Sequence, residues 1–256
     1  MQGSGGGPSE NNVSGYLVRS TSTAWKKNSV LAVDAGTHLS GIISIFQHQL
    51  LNAHAPALCP FAGAPLPSSV PKANASFVVS ELVSTYLLTH AHLDHLSGFA
   101  INTASFTPKN VKRLAALPKV ITAVKTHIFN DVIWPNLSEE DSGVGLFRYE
   151  RLPESSDYVS VSEGLSAQAW PVSHGHCMKL HTHWGRKSTI SLDAAHGHDI
   201  GSQSLGSQNL GTPHASHPKW CVIDSAVFFI RDDATGKEVM MWGDVEPGLN
   251  SITLPP

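Results

Sequence analysis

Short apolar runs bounded by polar or glycine-containing segments recur along the chain, and each of them predicts a buried β-strand. One of these runs ends in a group of histidines. The last two apolar runs of the chain flank the polar segment 232–237, which contains a glycine and is typical of a hairpin loop. The predicted strands are residues 16–18, 30–33, 83–88, 112–117, 167–172, 222–230 and 238–242.

Helices are predicted where apolar residues are dense or follow a helical period, and where proline stands at a first helical position. Residues 41–51 are apolar enough for one helix, and Pro118 begins another. The apolar stripe of this second helix consists of Ile121, Val124, Ile128 and Val132.

Segments that show neither pattern are expected to be turns or loops. Residues 3–8 predict a glycine-rich turn, and residues 53–75, rich in alanine and proline, predict a loop. Gly98, followed by the apolar residues 99–101, suggests a turn into a helix. Residues 185–219 are rich in serine, glycine and histidine without periodicity, so we expect a disordered insertion there.

The composition narrows the class of protein. The chain has 256 residues, 41% of them hydrophobic, which is enough for a sizeable core. Its formal net charge of -3 gives no broad basic field, so we expect no nucleic-acid partner. Three widely separated cysteines suit a reducing compartment better than a disulfide framework. The chain shows no signal segment and no apolar run approaching ~18 residues, which predicts a cytoplasmic protein without a membrane partner.

The most informative segment is residues 88–97, Leu-Thr-His-Ala-His-Leu-Asp-His-Leu-Ser, at the end of a predicted strand. Side chains alternate along a strand, so His90 and His92 point to the same side and can hold a metal such as zinc. Asp94 and His95, just beyond them, suit a second metal. The alternative is a set of polar residues on a surface loop, but four good ligands at this spacing rarely arise by chance.

The pattern His-x-His-x-Asp-His resembles the metal motif of the metallo-β-lactamase superfamily. The longer string at residues 90–98 resembles the class II cyclic-nucleotide phosphodiesterases, best known from fungi. Further segments in the family's order carry the same resemblance across nearly the whole chain. They are GSGGGP (3–8), VDAGT (33–37), HIFNDVIWPNL (127–137), PVSHG (171–175) and GDVEP (243–247).

This resemblance implies a mixed α+β fold, a four-layer αββα sandwich of the metallo-β-lactamase type with two mixed sheets packed face to face between helices. Residues 1–256 would form a single domain of this kind. Only two residues precede the glycine-rich turn, and the last histidine is His217. Compared with the family, the domain is therefore expected to be incomplete at both ends, lacking its first strand and its C-terminal part.

Carried over by position, the resemblance implies two divalent ions, which we expect to be zinc. Their expected ligands are His90, His92 and His174 for the first ion, Asp94 and His95 for the second, and Asp244 as a bridge between the two. A hydroxide shared by the ions would attack phosphorus, and Asp94 would act as a catalytic residue that accepts a proton. The family's second metal takes a further downstream histidine, so the second site of this chain would be one ligand short.

Some of these residues also have simpler interpretations. His174 could be a turn residue, and Asp244 could cap a turn after its strand. Asp34 is expected to be a hydrogen-bonding turn residue near the site rather than a ligand. Trp134 is expected to support the domain, with stacking on a nucleobase as the alternative. His176, His181 and His183 are expected to be exposed or on the substrate side rather than bound to metal. Cys177 is expected to be a buried thiol, with a soft metal ligand as the alternative.

The function implied by the resemblance is hydrolysis of 3′,5′-cyclic nucleotides, cAMP and possibly cGMP, to 5′-nucleotides in cAMP catabolism and signalling. The expected partner is a small-molecule cyclic nucleotide, and the oligomeric state is left open. The alternatives are another hydrolase of the superfamily or an inactive truncated fragment. A nuclease would need a basic surface, which the net charge of -3 disfavours, whereas a thioesterase is disfavoured only by the narrower family segments.

Overall fold

The structure, a computed structural model of the chain, describes residues 12–51, 60–177 and 221–245. The described strands form two sheets. The glycine-rich turn expected at 3–8 and the insertion expected at 185–219 lie outside the described residues, as do His181 and His183.

The first sheet is mixed and has five strands in the order β1-β2-β3-β4-β5. β1 pairs with β2 in the antiparallel sense, and the other neighbours are parallel. All six residues of β2 are buried, as expected for a central strand covered on both faces. The strands are β1 (Gly15–Arg19), β2 (Val30–Ala35), β3 (Val83–Leu87), β4 (Lys112–Ala116) and β5 (Phe147–Arg151).

The second sheet has four strands in sequence order and is antiparallel throughout. For the strands within residues 155–177 and 221–242, the expectation of a second mixed sheet is therefore wrong. The second strand of each hairpin runs back along the first, because the connections at residues 163–164 and 233–237 are short. Connections of this length permit only antiparallel pairing. β7 and β8 pair as far as Cys177 and Cys221. The strands are β6 (Ser155–Ser162), β7 (Leu165–Cys177), β8 (Cys221–Asp232) and β9 (Glu238–Trp242).

Four α-helices connect the strands of the first sheet. α3 packs against β2, and α4 packs against β4 and β5. In the described ranges no helix is long and apolar enough to cross a bilayer, since the longest, α1, has 13 residues. The helices are α1 (Leu39–Leu51), α2 (Pro71–Phe77), α3 (Leu93–Asn102) and α4 (Pro118–His127).

One hydrophobic core extends across both sheets. Leu31 and Leu114 of the first sheet belong to the same buried cluster as Phe228 of the second. Polar contacts also join the sheets, for example between the hydroxyls of Ser84 and Ser162, which lie 3.1 Å apart. The sheets therefore pack face to face, as the expected sandwich requires.

The structure corrects several predicted boundaries. α4 ends at His127, so Val132 is not part of its stripe and is 84% exposed. The Asn130 side chain accepts hydrogen bonds from the backbone N–H groups of Val132 and Ile133, which holds a turn there. Part of the predicted loop 53–75 is α2, which Pro71 begins. β5 and β6 were not predicted, because charged and serine residues interrupt their apolar positions.

Candidate metal centre

The carboxyl ends of β2, β3 and β4 meet at one edge of the first sheet, because these strands are parallel. Asp34 stands near the end of β2. β3 ends at Leu87, one residue earlier than predicted, and Thr89 and His90 follow after Leu88. All three side chains are almost fully buried, with exposures of 2%, 0% and 1% in that order.

α3 brings the next two predicted residues to the same edge. The helix starts at Leu93, directly after His92, so Asp94 and His95 lie in its first turn. Gly98 is inside the helix, and the turn predicted there is wrong. A Cβ atom at Gly98 would overlap the carbonyl oxygen of Ala35, so only glycine lets the helix approach the end of β2 this closely.

The second sheet contributes His174 and Asp244. The register between β7 and β8 shifts between Ser173 and Gly175, and Gly175 has a φ of 133°. Such a bulge redirects the side chains of the strand that carries it. Asp244 follows the end of β9, and 46% of its side chain is exposed.

His90, His92 and His174 form the first group whose ligand atoms lie together, with all of these atoms within 4.8 Å of one another. The Nε2 atom of His174 is 3.1 Å from the Nδ1 atom of His92. The Nε2 atom of His90 is buried and has no hydrogen-bond partner among the described residues. An orphaned ring nitrogen that faces two more imidazoles suits a metal ion, which would supply the missing partner.

His90, His95 and Asp244 form the second such group. The Nε2 atom of His95 lies 3.4 Å from one carboxylate oxygen of Asp244, and the Nε2 atom of His174 lies 3.6 Å from the other. The two oxygens of Asp244 therefore face one histidine from each group. Asp94 is adjacent, 3.8 Å from the Nε2 atom of His95, but belongs to neither group. The structure thus brings all six predicted site residues into one pocket.

A buried hydrogen-bond network orients two of these rings. The Nδ1 atom of His95 is 2.8 Å from Asp34, whose carboxylate also accepts hydrogen bonds from the backbone N–H and the hydroxyl of Thr89. The Thr89 hydroxyl lies 3.0 Å from the Nδ1 atom of His90. Because this hydroxyl donates to Asp34, it accepts from His90. Both Nδ1 atoms then carry hydrogen, and both Nε2 lone pairs are free for a metal.

Asp34 holds this network from an unusual backbone conformation. Its φ of 53° lies in the left-handed region, which non-glycine residues seldom adopt. The sequence indicated a hydrogen-bonding turn residue at this position. The hydrogen bonds are present, but Asp34 lies within β2 rather than in a turn. Thr89 was missed, although its position between a predicted strand and His90 was a usable signal.

Burial and neighbouring charges shift the pKa of His90 and His92 in one direction and that of His95 in the other. Burial, together with His95, His92 and His174, lowers the pKa of His90 to about 2, and burial with His174 lowers the pKa of His92. Burial also opposes charge on His95, but Asp34, Asp244 and Asp94 outweigh it and raise its pKa. Burial raises the pKa of Asp34 against the hydrogen bonds of its partners. Neutral imidazole is the form that binds metal.

Trp134 lies away from the metal-ligand groups. The Trp134 indole packs against the core and donates to the Thr103 hydroxyl at 3.1 Å, in agreement with a supporting role. The side chains of His176 and Cys177 lie outside the described part of the chain.

The family model for class-II cAMP phosphodiesterases matches residues 2–253. The chain belongs to this family. A 3′,5′-cyclic-nucleotide phosphodiesterase of Schizosaccharomyces pombe is 31% identical over 173 residues, which make up 68% of this chain and 47% of that protein. A probable 3′,5′-cyclic-nucleotide phosphodiesterase of Yersinia pestis is 29% identical, covering 66% of this chain and 45% of that protein. This class-II chain thus spans about half the length of the curated relatives it matches.

A solved structure shows the same fold. The crystal structure of unliganded yeast PDE1 matches with a TM-score of 0.63 and 18% identity, covering 97% of this chain and 65% of the yeast chain. At this identity the similarity concerns the fold alone. It confirms the mixed α/β fold of the metallo-β-lactamase type that the residues 90–98 and the other family segments implied.

Proposed function

We propose that this protein hydrolyses 3′,5′-cyclic nucleotides, cAMP first among them, to 5′-nucleotides at the pocket of His90, His174 and Asp244. Membership of the class-II family is the observation that carries this proposal. The pocket supports it, because imidazole and carboxylate ligands converge from both sheets. The curated relatives named above are themselves described as cyclic-nucleotide phosphodiesterases.

Two divalent ions, zinc by preference, would occupy the pocket. Imidazole nitrogens with one or two carboxylates are a donor set that zinc favours. Such ions, when bound, supply a water activated at neutral pH and positive charge for the phosphodiester oxygens. The ligands would be His90, His92 and His174 for one ion, Asp94 and His95 for the other, and Asp244 for both.

The chain's own residues would orient the ligands and move the proton. Asp34 and Thr89 would keep the Nε2 atoms of His95 and His90 directed into the pocket. Asp94 would be the catalytic residue that accepts a proton, because 27% of its side chain is exposed and its carboxylate lies beside His95.

The experiment is product analysis of cyclic AMP incubated with the purified chain and zinc. We expect 5′-AMP as the product. We also expect His90→Ala to lower the rate at least 100-fold, since His90, with its buried Nε2 atom, is a member of both ligand groups. Cyclic GMP in parallel reactions measures the nucleotide preference.

The matched control is His127→Ala, because His127 is exposed at the far end of α4. This variant should keep both the rate and the zinc content of the unmodified chain. Hydrolysis of a generic thioester without any turnover of cyclic nucleotide would refute the phosphodiesterase proposal. Formation of 3′-AMP would refute the proposed bond cleavage.

A further inference from the structure

Gly243 lies where the second sheet meets the metal pocket. It follows the last residue of β9, is buried, and donates its backbone N–H to the carbonyl of Ala226 at 2.9 Å. A Cβ atom built at this position would overlap the Ser225 hydroxyl and would lie 2.6 Å from Cβ and 2.9 Å from Oγ1 of Thr89. Cβ atoms do not make non-bonded contacts this short, so a side chain here requires something to move.

Thr89 is held in place and cannot move away from this contact without loss of hydrogen bonds. Its hydroxyl is hydrogen-bonded to Asp34 and His90, and its Cβ atom is attached to the backbone just beyond β3. Ser225 has more freedom, because its buried hydroxyl has no hydrogen-bond partner among the described residues and can rotate. Rotation of Ser225 leaves the overlap with Thr89 in place, so the segment with Gly243 and Asp244 is the part that would be displaced.

We propose that Gly243 is a positioning residue that sets the location of Asp244. Because it has no side chain, the end of β9 packs directly on Thr89, and the next residue reaches both His95 and His174. The same hydroxyl that orients His90 thus also determines how near Asp244 comes. This inference rests on the proposed function, since it concerns a proposed ligand of that site.

An alanine at this position acts through steric overlap alone. Gly243 is not among the residues with positive φ, so alanine can adopt its backbone conformation without strain. Ligand atoms must stand about 2.0–2.3 Å from a zinc ion, and a shift of a few tenths of an ångström at Asp244 disturbs that distance. The first group, which lacks Asp244, should be affected much less.

The experiment is zinc titration of the purified chain and of Gly243→Ala, with bound zinc measured by elemental analysis. In the variant we expect the weaker zinc site to lose affinity at least tenfold, the cost typical of disturbed support around a metal ligand, while the tighter site is retained. Asp244→Asn should reproduce this loss, and the two changes together should add little to either.

Gly143→Ala is the matched control for steric damage. A Cβ atom at Gly143 would overlap the Ser138 carbonyl oxygen to a similar degree, but this contact lies in the loop before β5, at the opposite edge of the sheet from the pocket. It should lower the unfolding temperature without changing either zinc affinity. Ser225→Ala combined with Gly243→Ala removes the nearest overlapping atom and should partly restore the weaker site.

The outcomes separate the two proposals. If Asp244→Asn binds zinc like the unmodified chain, Asp244 is not a ligand and the proposed metal site itself is wrong. If Asp244→Asn loses the weaker site while Gly243→Ala keeps it, only the positioning role is refuted. If Gly243→Ala fails to fold both alone and combined with Ser225→Ala, the glycine serves the fold rather than the position of Asp244. That result also overturns the inference.

Discussion

Asp34 shows how one carboxylate can determine the state of two metal-binding rings. It accepts from Nδ1 of His95 directly, and through the hydroxyl of Thr89 it orients His90. The carboxylate is 2% exposed and its backbone has positive φ, so both the buried charge and the backbone conformation destabilise the fold at this position. In return, the Nε2 lone pairs of the two histidines are directed toward the metal centre.

Asp34→Asn tests this role with little change of volume. The backbone N–H of Thr89 donates to one carboxylate oxygen of Asp34 and Nδ1 of His95 pairs with the other, whereas an amide keeps only one oxygen. With that oxygen held by Thr89, the NH₂ group would face His95, which would then carry its hydrogen on Nε2. We expect zinc affinity to fall about 10–100-fold. Nitrogen-15 NMR of the zinc-free protein should show the change of tautomer in His95.

Asp233→Asn is the control, since Asp233 also accepts a side-chain hydrogen bond, from Ser166 at 2.7 Å, but lies in the β8–β9 hairpin. It should leave zinc affinity unchanged. An unaltered His95 tautomer in Asp34→Asn would show that Asp34 does not determine it.

Between elements, Glu140 connects α4 to β5 across the loop that joins them. Its carboxylate pairs with both guanidinium nitrogens of Arg151, at 2.7 and 3.0 Å, and with Lys125 at 2.8 Å. Arg151 and Lys125 lower the pKa of Glu140 to about 2. A carboxylate with a lowered pKa stabilises the folded state above its unfolded pKa and loses that contribution as the pH falls.

Glu140→Gln should therefore lower the free energy of unfolding near neutral pH and have little effect in strong acid. We expect about 1 kcal/mol at pH ~7, because the side chain remains partly in solvent. The difference from the unmodified chain should shrink below pH ~4.5 and disappear near pH 2, as measured by urea unfolding across this range.

Glu139→Gln provides the contrast at the neighbouring position. Burial raises the pKa of Glu139, so its contribution to stability changes with pH in the opposite direction. A constant difference between Glu140→Gln and the unmodified chain from pH ~7 to ~3 would contradict the assignment.

At the scale of the whole molecule, the pocket depends on how the two sheets pack against each other, since His90 and Asp244 come from different sheets. Arg113 of β4 contributes to this packing. Its guanidinium donates to Thr85 and Glu150 in the first sheet, at 2.9 and 3.0 Å, and to the Ser160 and Val161 carbonyls in the second.

Arg113→Met keeps the aliphatic stem but leaves the Ser160 and Val161 carbonyls and the Glu150 carboxylate without this donor. We expect the free energy of unfolding to fall by about 2–3 kcal/mol, measured by urea denaturation. Arg148→Met is the control, because Arg148 is the register partner of Arg113 on β5 but is exposed. It should change stability by less than about 0.5 kcal/mol. Equal effects of the two substitutions would exclude a special role for Arg113.

Much of the fold could be predicted from the pattern of apolar positions. Seven strands and the start of α4 follow from apolar runs and from Pro118, because burial on a sheet selects apolar residues regardless of the partner. β5 and β6 could not be predicted in this way. Their stability comes from neighbouring strands, and their charged and serine positions resemble loop sequence.

The sequence by itself determined the family and the local group from His90 to His95, because these depend on residue types at short spacing. The family resemblance also predicted His174 and Asp244 as ligands, but only the tertiary structure decided how near they come to this group, that Thr89 links His90 to Asp34, and that Gly243 packs on Thr89. The physical reason is that these contacts join residues far apart in the chain. Their distances depend on sheet packing, strand register and a bulge, none of which leaves a periodic signal in the sequence.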